Sequence, residues 1–391
     1  MSLQVTLDRP LRVLSVFGTR PEAIKMAPVV LALRALGDEV ESRVCVTAQH
    51  REMLDDVLRL FRIEPDHDLD VMRPGQSPTA VAAEILHRLE PVLEVERPDW
   101  VLVQGDTTTA AIASLAAFYA GARVGHVEAG LRSGEPREPF PEELNRRVAA
   151  VIADLHFAPT GGARANLLRE GVPAEAIVVT GNPVIDALQH AVSIADGESD
   201  LPAGLDSGER VVLVTAHRRE SFGRPIESIC AAIWSLANRY PDVRFVFPVH
   251  PNPAVSDVVN ASLAGVPGVT LLAPLSYLEL IRLLRRAYLV LTDSGGLQEE
   301  APSLGKPVLC LRDVTERVEG VAAGTVRLIG TDPVRIVEET ARLLDSAAEH
   351  DRMAQAVNPY GDGRAAGRIV EALLGNGAEV RVLPGLDVIA A

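Results

Sequence analysis

Short runs rich in Val, Leu and Ile recur along the whole chain, twelve in all, and leave few folds open to it. Most of these runs, including VVLVT and WVLVQ, are continuous rather than alternating with polar residues, as strands covered on both faces should be. Longer segments with helical periodicity, including PIESICAAIWSLANRY, separate them. This alternation predicts an α/β fold built on parallel sheets.

The length of the chain and the positions of the runs predict two domains. At 391 residues the chain exceeds the size of one ordinary core. Six runs precede Gly181 and six follow it. We therefore predict a Rossmann-like domain over residues 1–180 and a second one over 181–360, facing each other across a cleft. Residues 377–391 are predicted to be a tail.

The charge and composition exclude several classes of protein. A formal net charge of -15 argues against general nucleic-acid binding, which requires a basic surface. The sequence has neither a run of about 18 apolar residues nor a basic n-region, so no membrane span and no secretion signal are predicted. Cys45, Cys230 and Cys310 lie far apart in apolar runs, which indicates buried, reduced thiols in a cytoplasmic protein.

Ligands of open parallel sheets bind beyond the carboxyl ends of the strands, so polar residues that follow the runs are candidates for a site. In the second half, YLVLT is followed by Ser294, Gly295 and Gly296, whose N–H groups at a helix start could dock an anion. Glu300, more than one turn along that helix, could accept hydrogen bonds from a ribose diol. The alternative is an ordinary helix start with Asp293 or Ser294 as N-cap and solvated glutamates.

A second group in this half follows the run VVLVT. This group, His217, Arg218 and Arg219, suits a diphosphate. An arginine guanidinium can donate two parallel hydrogen bonds to phosphate oxygens, and a histidine can protonate a leaving oxygen. The alternative is ordinary surface charge. His250, between prolines, is a weaker candidate and could be a turn residue. Neither GxxxxGK(S/T) nor GxGxxG follows any run, so no P-loop and no nicotinamide or flavin cofactor is predicted.

In the first half, three runs end in candidate residues. Arg20 and Lys25 follow the opening run and bring positive charge to its end. Asp106 follows WVLVQ, either as a functional acid or as the N-cap of the next helix. Glu128 follows RVGHV in a segment too apolar for plain surface, and burial would raise its pKa and fit it for proton transfer.

The helix PEELNRRVAAVIADL begins with two glutamates. Glu142 and Glu143 offset the helix dipole, and Arg146 and Arg147 lie one turn further on. This i,i+4 pattern explains the presence of one of the two glutamates, but not of both. We interpret Glu143 with Arg147 as the ordinary pair, which leaves Glu142 as a candidate acid.

Eight blocks of the sequence together resemble the non-hydrolysing UDP-N-acetylglucosamine 2-epimerases. They run from residue 17 to about 330, and in chain order they are FGTRPEAIK, VQGDTTTA, HVEAGLRS, PFPEELNRR, GNPVIDAL, TAHRRES, TDSGGLQEEAPSLGKPVL and TERVEGVAAGTVRLIG. The resemblance implies a glycosyltransferase-B-like fold whose C-terminal helix, about 361–376, returns to the first domain. It also implies a homodimer that interconverts UDP-GlcNAc and UDP-ManNAc for cell-surface polysaccharide synthesis, without NAD or an obligatory metal.

The resemblance also implies roles for individual residues. The catalytic residues would be Asp106, Glu128, Glu142 and His217. The residues that bind the nucleotide sugar, with the two leucines beside the uracil, would be Arg20, Lys25, Arg146, Leu275, Leu280, Ser294, Gly295, Gly296, Glu300 and Arg317. Val318 departs from the family pattern, which usually has proline there, and would make its loop less stiff.

The region TAQHREML resembles part of a second, activating UDP-GlcNAc site found in bacterial members of the family. Gln49 fits that pattern, whereas Glu52 stands where glutamine is often found. Two alternatives to this epimerase stay open on the sequence alone. They are a 2-epimerase of another UDP-2-acetamido sugar and a UDP-sugar-dependent glycosyltransferase of the same fold.

Overall fold

The structure is a computed structural model that describes residues 9–48, 51–73, 75–137, 139–195 and 209–375. These residues form two compact units. The first contains the residues up to Ala187 and those from Tyr360 onward, and the second contains Leu188–Pro359. The units therefore divide within a helix, several residues after the boundary predicted near Gly181.

The first unit is built on one parallel sheet. Its strands are β1 (Leu11–Phe17), β2 (Val40–Val46), β3 (His67–Asp68), β4 (Trp100–Gln104), β5 (Arg123–Val127), β6 (Leu155–Ala158) and β7 (Ile177–Val179). The helices that start before Leu188 are α1 (Arg20–Arg34), α2 (Arg51–Leu60), α3 (Pro78–Glu96), α4 (Thr108–Tyr119), α5 (Glu142–Ile152), α6 (Gly161–Arg169) and α7 (Pro183–Ala195). The last of them, α7, continues into the second unit. Among the described residues the strand order is β3-β2-β1-β4-β5-β6-β7, with parallel pairing throughout.

The strand order of this sheet has a switch point between β1 and β4. β1 pairs with β2 on one side and with β4 on the other, so the chain leaves these two strands in opposite directions. The loop after β1 leads to Arg20, and the loop after β4 contains Asp106. The loops after β5 and β7 contain Glu128 and Asn182. Asp106 and Glu128, two of the candidate acids, therefore follow the carboxyl ends of strands of this sheet.

The last described helix, α15 (Ala365–Leu373), belongs to the first unit. It packs against α1. The Asp186 carboxylate in α7 caps it by accepting hydrogen bonds from the N–H groups of its first two residues, at 3.2 and 2.9 Å. Just before it, the carbonyl of Tyr360 accepts a 2.7 Å hydrogen bond from the N–H of Asn182. The returning chain is thus anchored to the loop after β7.

The second unit contains another parallel sheet. Its strands are β8 (Arg210–Thr215), β9 (Val243–Pro248), β10 (Val269–Leu272), β11 (Ala287–Thr292), β12 (Val308–Cys310) and β13 (Val326–Leu328). Its helices are α8 (Arg224–Arg239), α9 (Pro253–Leu263), α10 (Tyr277–Arg286), α11 (Gly295–Ser303), α12 (Val318–Ala323), α13 (Pro333–Asp345) and α14 (Ala347–Ala354). The strand order within the described residues is β10-β9-β8-β11-β12-β13, so β8 and β11 meet at a switch point. His217 follows β8 and Ser294 follows β11.

Two expectations from composition can be compared with the structure. Cys45, Cys230 and Cys310 are buried, as predicted, and burial raises the pKa of their thiols to about 12, 11 and 12. Within the described ranges, the protein has no helix with the length and apolar character needed to cross a membrane. Gln49 and the predicted tail 377–391 lie outside the described residues.

Candidate active site

Glu128 is the central residue of the candidate site in the first unit. It directly follows β5, its backbone is left-handed (φ 60°), and its side chain is buried, as the apolar surroundings predicted. Lys25 forms an ion pair with its Oε2, and Nδ2 of Asn182 donates a 2.9 Å hydrogen bond to the same oxygen. The carboxylate is therefore compensated by charge and by hydrogen bonding, as a buried anion must be.

Arg146, in the second turn of α5, joins Glu128 to Asp106. Its Nη1 donates a 2.7 Å hydrogen bond to the backbone carbonyl of Glu128. Its Nη2 pairs with Oδ2 of Asp106 and lies 3.6 Å from Oε1 of Glu128. The family resemblance places Arg146 among the substrate ligands, and the structure adds a second task, because this buried side chain brings two candidate acids together.

Asp106 does not cap the helix that follows it. The N-cap of α4 is Thr107, whose Oγ1 accepts a 3.0 Å hydrogen bond from the N–H of Ala110. The alternative assignment of Asp106 as N-cap is therefore wrong. Asp106 is half-buried, and its backbone carbonyl accepts a 3.0 Å hydrogen bond from Nδ2 of Asn145. Both its side chain and its backbone are thus tied to α5.

A buried histidine supports the turn that precedes Asp106. Gly105 has φ 70°, a left-handed conformation that favours glycine, and its carbonyl is 2.7 Å from Nε2 of His126. Burial lowers the pKa of His126 to about 3, so the ring is neutral at physiological pH. Because a carbonyl can only accept, the single ring proton is on Nε2.

Glu22 links the loops that follow β1 and β4. It accepts hydrogen bonds from the N–H groups of Gly18 (3.0 Å) and Thr19 (2.7 Å), as part of a capping box at the start of α1. It also accepts a 2.6 Å hydrogen bond from Oγ1 of Thr107. Burial raises the pKa of Glu22, although these hydrogen bonds oppose the shift. Glu22 therefore ties the start of α1 to the loop that contains Asp106.

The pairing of Glu143 with Arg147 is confirmed. Nε of Arg147 donates a 3.0 Å hydrogen bond to Oε1 of Glu143, and the N–H of Ser133 donates a 3.0 Å hydrogen bond to Oε2. Glu143 is therefore occupied in holding its own helix and the preceding loop. Glu142 begins α5 and Arg20 begins α1, and both are half-buried.

In the second unit, the residues before α11 do not cap it as a plain helix start would. Ser294 is its N-cap residue, and among the described residues its hydroxyl makes no capping hydrogen bond. Asp293 is buried, and its Oδ2 accepts hydrogen bonds from the N–H groups of His217 (2.8 Å) and Arg218 (2.9 Å) and from Oγ of Ser221 (2.8 Å). The alternative of Asp293 as N-cap is wrong, because this side chain holds the loop after β8.

Two guanidinium groups converge on the first turn of α11. A Cβ added at Gly295 would lie 3.2 Å from Cζ of Arg317 and 3.4 Å from Nη2 of Arg218, so both groups lie against the glycine. Nε of Arg317 donates a 2.9 Å hydrogen bond to Oε1 of the buried Glu299, which fixes its direction. A positive helix end beside two guanidinium groups is an arrangement that binds phosphate.

His217 is oriented by Asp293. Its Nδ1 lies 3.1 Å from Oδ1 of Asp293, and its ring stacks on that of His250 with centroids 6.1 Å apart. Burial would raise the pKa of Asp293, but its contacts with His217 and Arg218 hold it below the usual value, so the carboxylate is ionised. Nδ1 of His250 accepts a 3.2 Å hydrogen bond from the N–H of Asn252, which confirms His250 as a turn residue.

Glu300 is held by a tyrosine that the sequence did not single out. Tyr277 donates a 2.7 Å hydrogen bond from its hydroxyl to Oε1 of Glu300. A Cβ at Gly296 would lie 3.4 Å from Oε2, so the carboxylate lies over the start of α11. Tyr277 begins α10 and stands between Leu275 and Leu280 in the chain, and both leucines are half-buried.

Arg317 is connected to a further arginine through Glu316. The Glu316 carboxylate lies 3.1 Å from Nη1 of Arg312 and 3.6 Å from Nη1 of Arg317. Arg312 also pairs with Glu220. Val318 begins α12 and is exposed. Ion pairs therefore hold the loop that carries Arg317.

Lowering the pH is expected to weaken this network through Glu316. Burial would raise the pKa of this carboxyl, but Arg317 and Arg312 bring it from 4.5 down to about 2. A lowered pKa gives stability that is complete above pH 4.5 and is lost as the pH falls toward 2. Glu316→Gln should be less stable than the wild type at pH 7, and the gap should narrow by roughly 2 kcal/mol between pH 5 and pH 3. Urea unfolding measures this, and a constant gap would contradict it.

The chain matches known proteins over nearly its whole length. The family model described as UDP-N-acetylglucosamine 2-epimerase matches residues 34–374. A relative from Yersinia pestis with the name UDP-N-acetylglucosamine 2-epimerase is 55% identical over 370 residues. The match covers 93% of this chain and 98% of the relative.

Solved structures agree with this match. A crystal structure of UDP-GlcNAc 2-epimerase from Neisseria meningitidis bound to UDP-GlcNAc is 48% identical, with a TM-score of 0.89 over 93% of this chain and 100% of that one. The glycosyltransferase SnogD from Streptomyces nogalater is 18% identical, with a TM-score of 0.55 over 93% of this chain and 96% of its own. That second likeness shows the fold alone, and the predicted glycosyltransferase-B-like class is confirmed. From the family match and these identities, the chain belongs to the UDP-N-acetylglucosamine 2-epimerase family.

Proposed function

We propose that the protein interconverts UDP-GlcNAc and UDP-ManNAc, by eliminating UDP to a 2-acetamidoglucal and adding it back with inversion at C2. The observation that carries the proposal is the cluster in the first unit, where Arg146 joins Asp106 to Glu128. Family membership supports the same reaction, and the UDP-GlcNAc bound to the Neisseria relative supports the same substrate.

The proposed reaction begins with the departure of UDP, because the hydrogen on C2 is not beside a carbonyl and is not acidic. The C1–O bond breaks with its electron pair leaving on the diphosphate, and the oxocarbenium-like C1 makes the C2 hydrogen labile. A carboxylate takes the proton, and the C–H electron pair forms the C1=C2 double bond of the glucal. In the return step a proton is added to the opposite face of C2 and UDP adds to C1.

Inversion requires proton transfer on both faces of the sugar ring. Asp106 and Glu128 come from separate loops, yet Arg146 holds their side chains near each other. Acids from two loops can address two faces of one ring. The positive charges of Lys25 and Arg146 favour the ionised form of Glu128, which is the form that a base requires. Glu142, at the start of α5, is the third proposed acid.

The second unit supplies the proposed ligands of the diphosphate. Arg218 and Arg317 lie against the start of α11, where Gly295 and Gly296 would present backbone N–H groups to the phosphates. The N–H of Ser294 donates a 2.9 Å hydrogen bond to Oγ1 of Thr292, so Ser294 would contribute its hydroxyl instead. These charges would stabilise the leaving UDP as it departs. His217, oriented by Asp293, would protonate the leaving oxygen.

The remaining ligands of the proposed substrate come from both units. Glu300, held by Tyr277, would accept hydrogen bonds from the ribose diol. Leu275 and Leu280 would contact the uracil, and Arg20 would add positive charge near the diphosphate.

Incubation with UDP-GlcNAc in deuterated water, followed by NMR at C2, tests the proposal. We expect deuterium at C2 together with UDP-ManNAc, because the proton returned to C2 comes from a carboxyl group that exchanges with solvent. A sample that is folded and binds UDP but catalyses no exchange would overturn the proposal. Exchange with only another UDP-2-acetamido sugar would identify the alternative epimerase, and sugar transfer without exchange would identify a glycosyltransferase.

We further propose that the protein is a cytoplasmic homodimer that acts in the synthesis of cell-surface polysaccharide, and that a second UDP-GlcNAc molecule activates it. These proposals rest on the family resemblance. Gln49 and the side chain of Glu52, which the resemblance relates to the activating site, lie outside the described residues, as does the side chain of Arg219.

A further inference from the structure

A buried asparagine outside the predicted set holds the carboxylate of Glu128. Asn182 lies in the loop after β7 and is fully buried, and its Nδ2 donates the 2.9 Å hydrogen bond to Oε2 of Glu128. Its Oδ1 accepts a 3.3 Å hydrogen bond from the N–H of Val184. These partners fix the direction of the amide, because an ionised carboxylate only accepts and a backbone N–H only donates.

The backbone of Asn182 is itself fixed by the chain that returns to the first unit. The carbonyl of Tyr360 accepts the 2.7 Å hydrogen bond from its N–H. Gly181 has φ 82°, and a Cβ there would lie 3.2 Å from Cα of Gly361, so the two chain segments are in backbone contact. The amide of Asn182 is therefore presented to Glu128 from a rigid support.

Asn182 and Lys25 both donate to Oε2 of the Glu128 carboxylate. A proton on this oxygen would displace two hydrogen bonds, because neither donor can accept one. We infer that Asn182 is a positioning residue, which fixes the direction of the Glu128 carboxylate and favours its ionised form. This inference rests on the proposed function and adds to it a residue that prepares the proposed base for proton transfer.

The charges around Glu128 predict how it responds to changes at Asn182. Lys25 faces it from α1, Arg146 from α5, and Asp106 lies beyond Arg146 in the loop after β4. Asn182 adds a neutral donor, which favours the ionised carboxylate without adding charge. Removing this donor should raise the pKa of Glu128, and a carboxylate in its place should raise that pKa further.

The test is a titration of Glu128 in protein labelled with ¹³C at the glutamate carboxyls, where the Glu128→Gln variant identifies the signal. We expect Asn182→Ala to raise the pKa of Glu128 by about one to two units and Asn182→Asp to raise it more. Thr180→Ala is the matched control, because its hydroxyl donates to the Gly181 carbonyl (2.8 Å) in the same loop. The Thr180→Ala titration should equal that of the wild type. The acid limb of the kcat/KM profile should move with the titration.

Equal titration of Glu128 in the wild type and both Asn182 variants would overturn the inference, and so would an equal shift in Thr180→Ala. Should Asn182→Ala fail to fold, Asn182→Asp carries the test, because the two side chains of that exchange have nearly the same shape. The titration requires no substrate, so it tests the role of Asn182 independently of the proposed function. Absence of C2 exchange in the wild type overturns the proposed function, whereas absence of a titration shift overturns the role of Asn182.

Discussion

Replacing Glu128 by Gln is expected to abolish deuterium incorporation at C2 of UDP-GlcNAc, a loss of about 10³-fold or more. The amide oxygen of Gln can still accept hydrogen bonds from Asn182 and Lys25, but the amide cannot take up the C2 proton. Binding of UDP should survive, because the proposed UDP ligands lie largely in the second unit. NMR follows the exchange, and calorimetry with UDP measures the binding.

Glu143→Gln is the matched control for this experiment. Glu143 is also buried, stands next to Glu142, and would lose its ion pair with Arg147, yet it has no proposed part in the reaction. Its variant should keep the exchange. An undiminished rate in Glu128→Gln would remove Glu128 from the mechanism. Loss of both exchange and UDP binding would make Glu128 a structural residue.

Replacing Gly130 by Ala is expected to destabilise the first unit by roughly 2–5 kcal/mol. Gly130 lies two residues after Glu128 with φ 88°, which an alanine adopts only with strain. The new Cβ would lie 2.3 Å from the carbonyl oxygen of Ala163 and 2.9 Å from Cγ of Leu167, both on α6. The backbone oxygen cannot move aside without disturbing α6, so the collision adds to the strain.

Gly134→Ala separates these two effects. Gly134 has nearly the same backbone angle, φ 90°, and among the described residues no heavy atom lies within 4 Å of its added Cβ. Gly134→Ala should lose only the free energy of unfolding that comes from the left-handed backbone of alanine, about 1–2 kcal/mol. The chain has two tryptophans, so with the exposed Trp234 replaced by Phe, the buried Trp100 of β4 reports urea unfolding of the first unit. Equal losses in the two alanine variants would contradict the predicted collision.

The apolar runs were sufficient to predict both sheets, because a strand covered on both faces must be apolar throughout. They did not reveal β3, whose two residues are both polar and which is defined by its pairing with Cys45 and Val46 at the sheet edge. A local sequence pattern shows which residue types a segment contains, but it does not show which other segment that segment pairs with.

In the candidate site too, the sequence showed what depends on neighbouring residues and not which distant residues meet. Asp106 and Glu128 follow buried strands, so their positions were readable in the sequence. Their partners were not, because Arg146 is 18 residues from Glu128 and Asn182 is 54 residues from it. Such pairs depend on how α5 and the loop after β7 pack. Asp106 and Thr107 are both good N-cap residues, and only the structure distinguishes between them.

The position of α15 makes the second unit an insertion within the sequence of the first. During synthesis, Leu188–Pro359 leaves the ribosome as one continuous segment and can fold before the first unit is complete. The first unit is completed later, when Tyr360 emerges and its carbonyl meets the N–H of Asn182. A nascent chain that stops before Tyr360 already carries every proposed acid and every proposed UDP ligand, but it lacks this backbone contact. The hydrogen bond that fixes the backbone of Asn182 therefore forms only after the second unit has been synthesised.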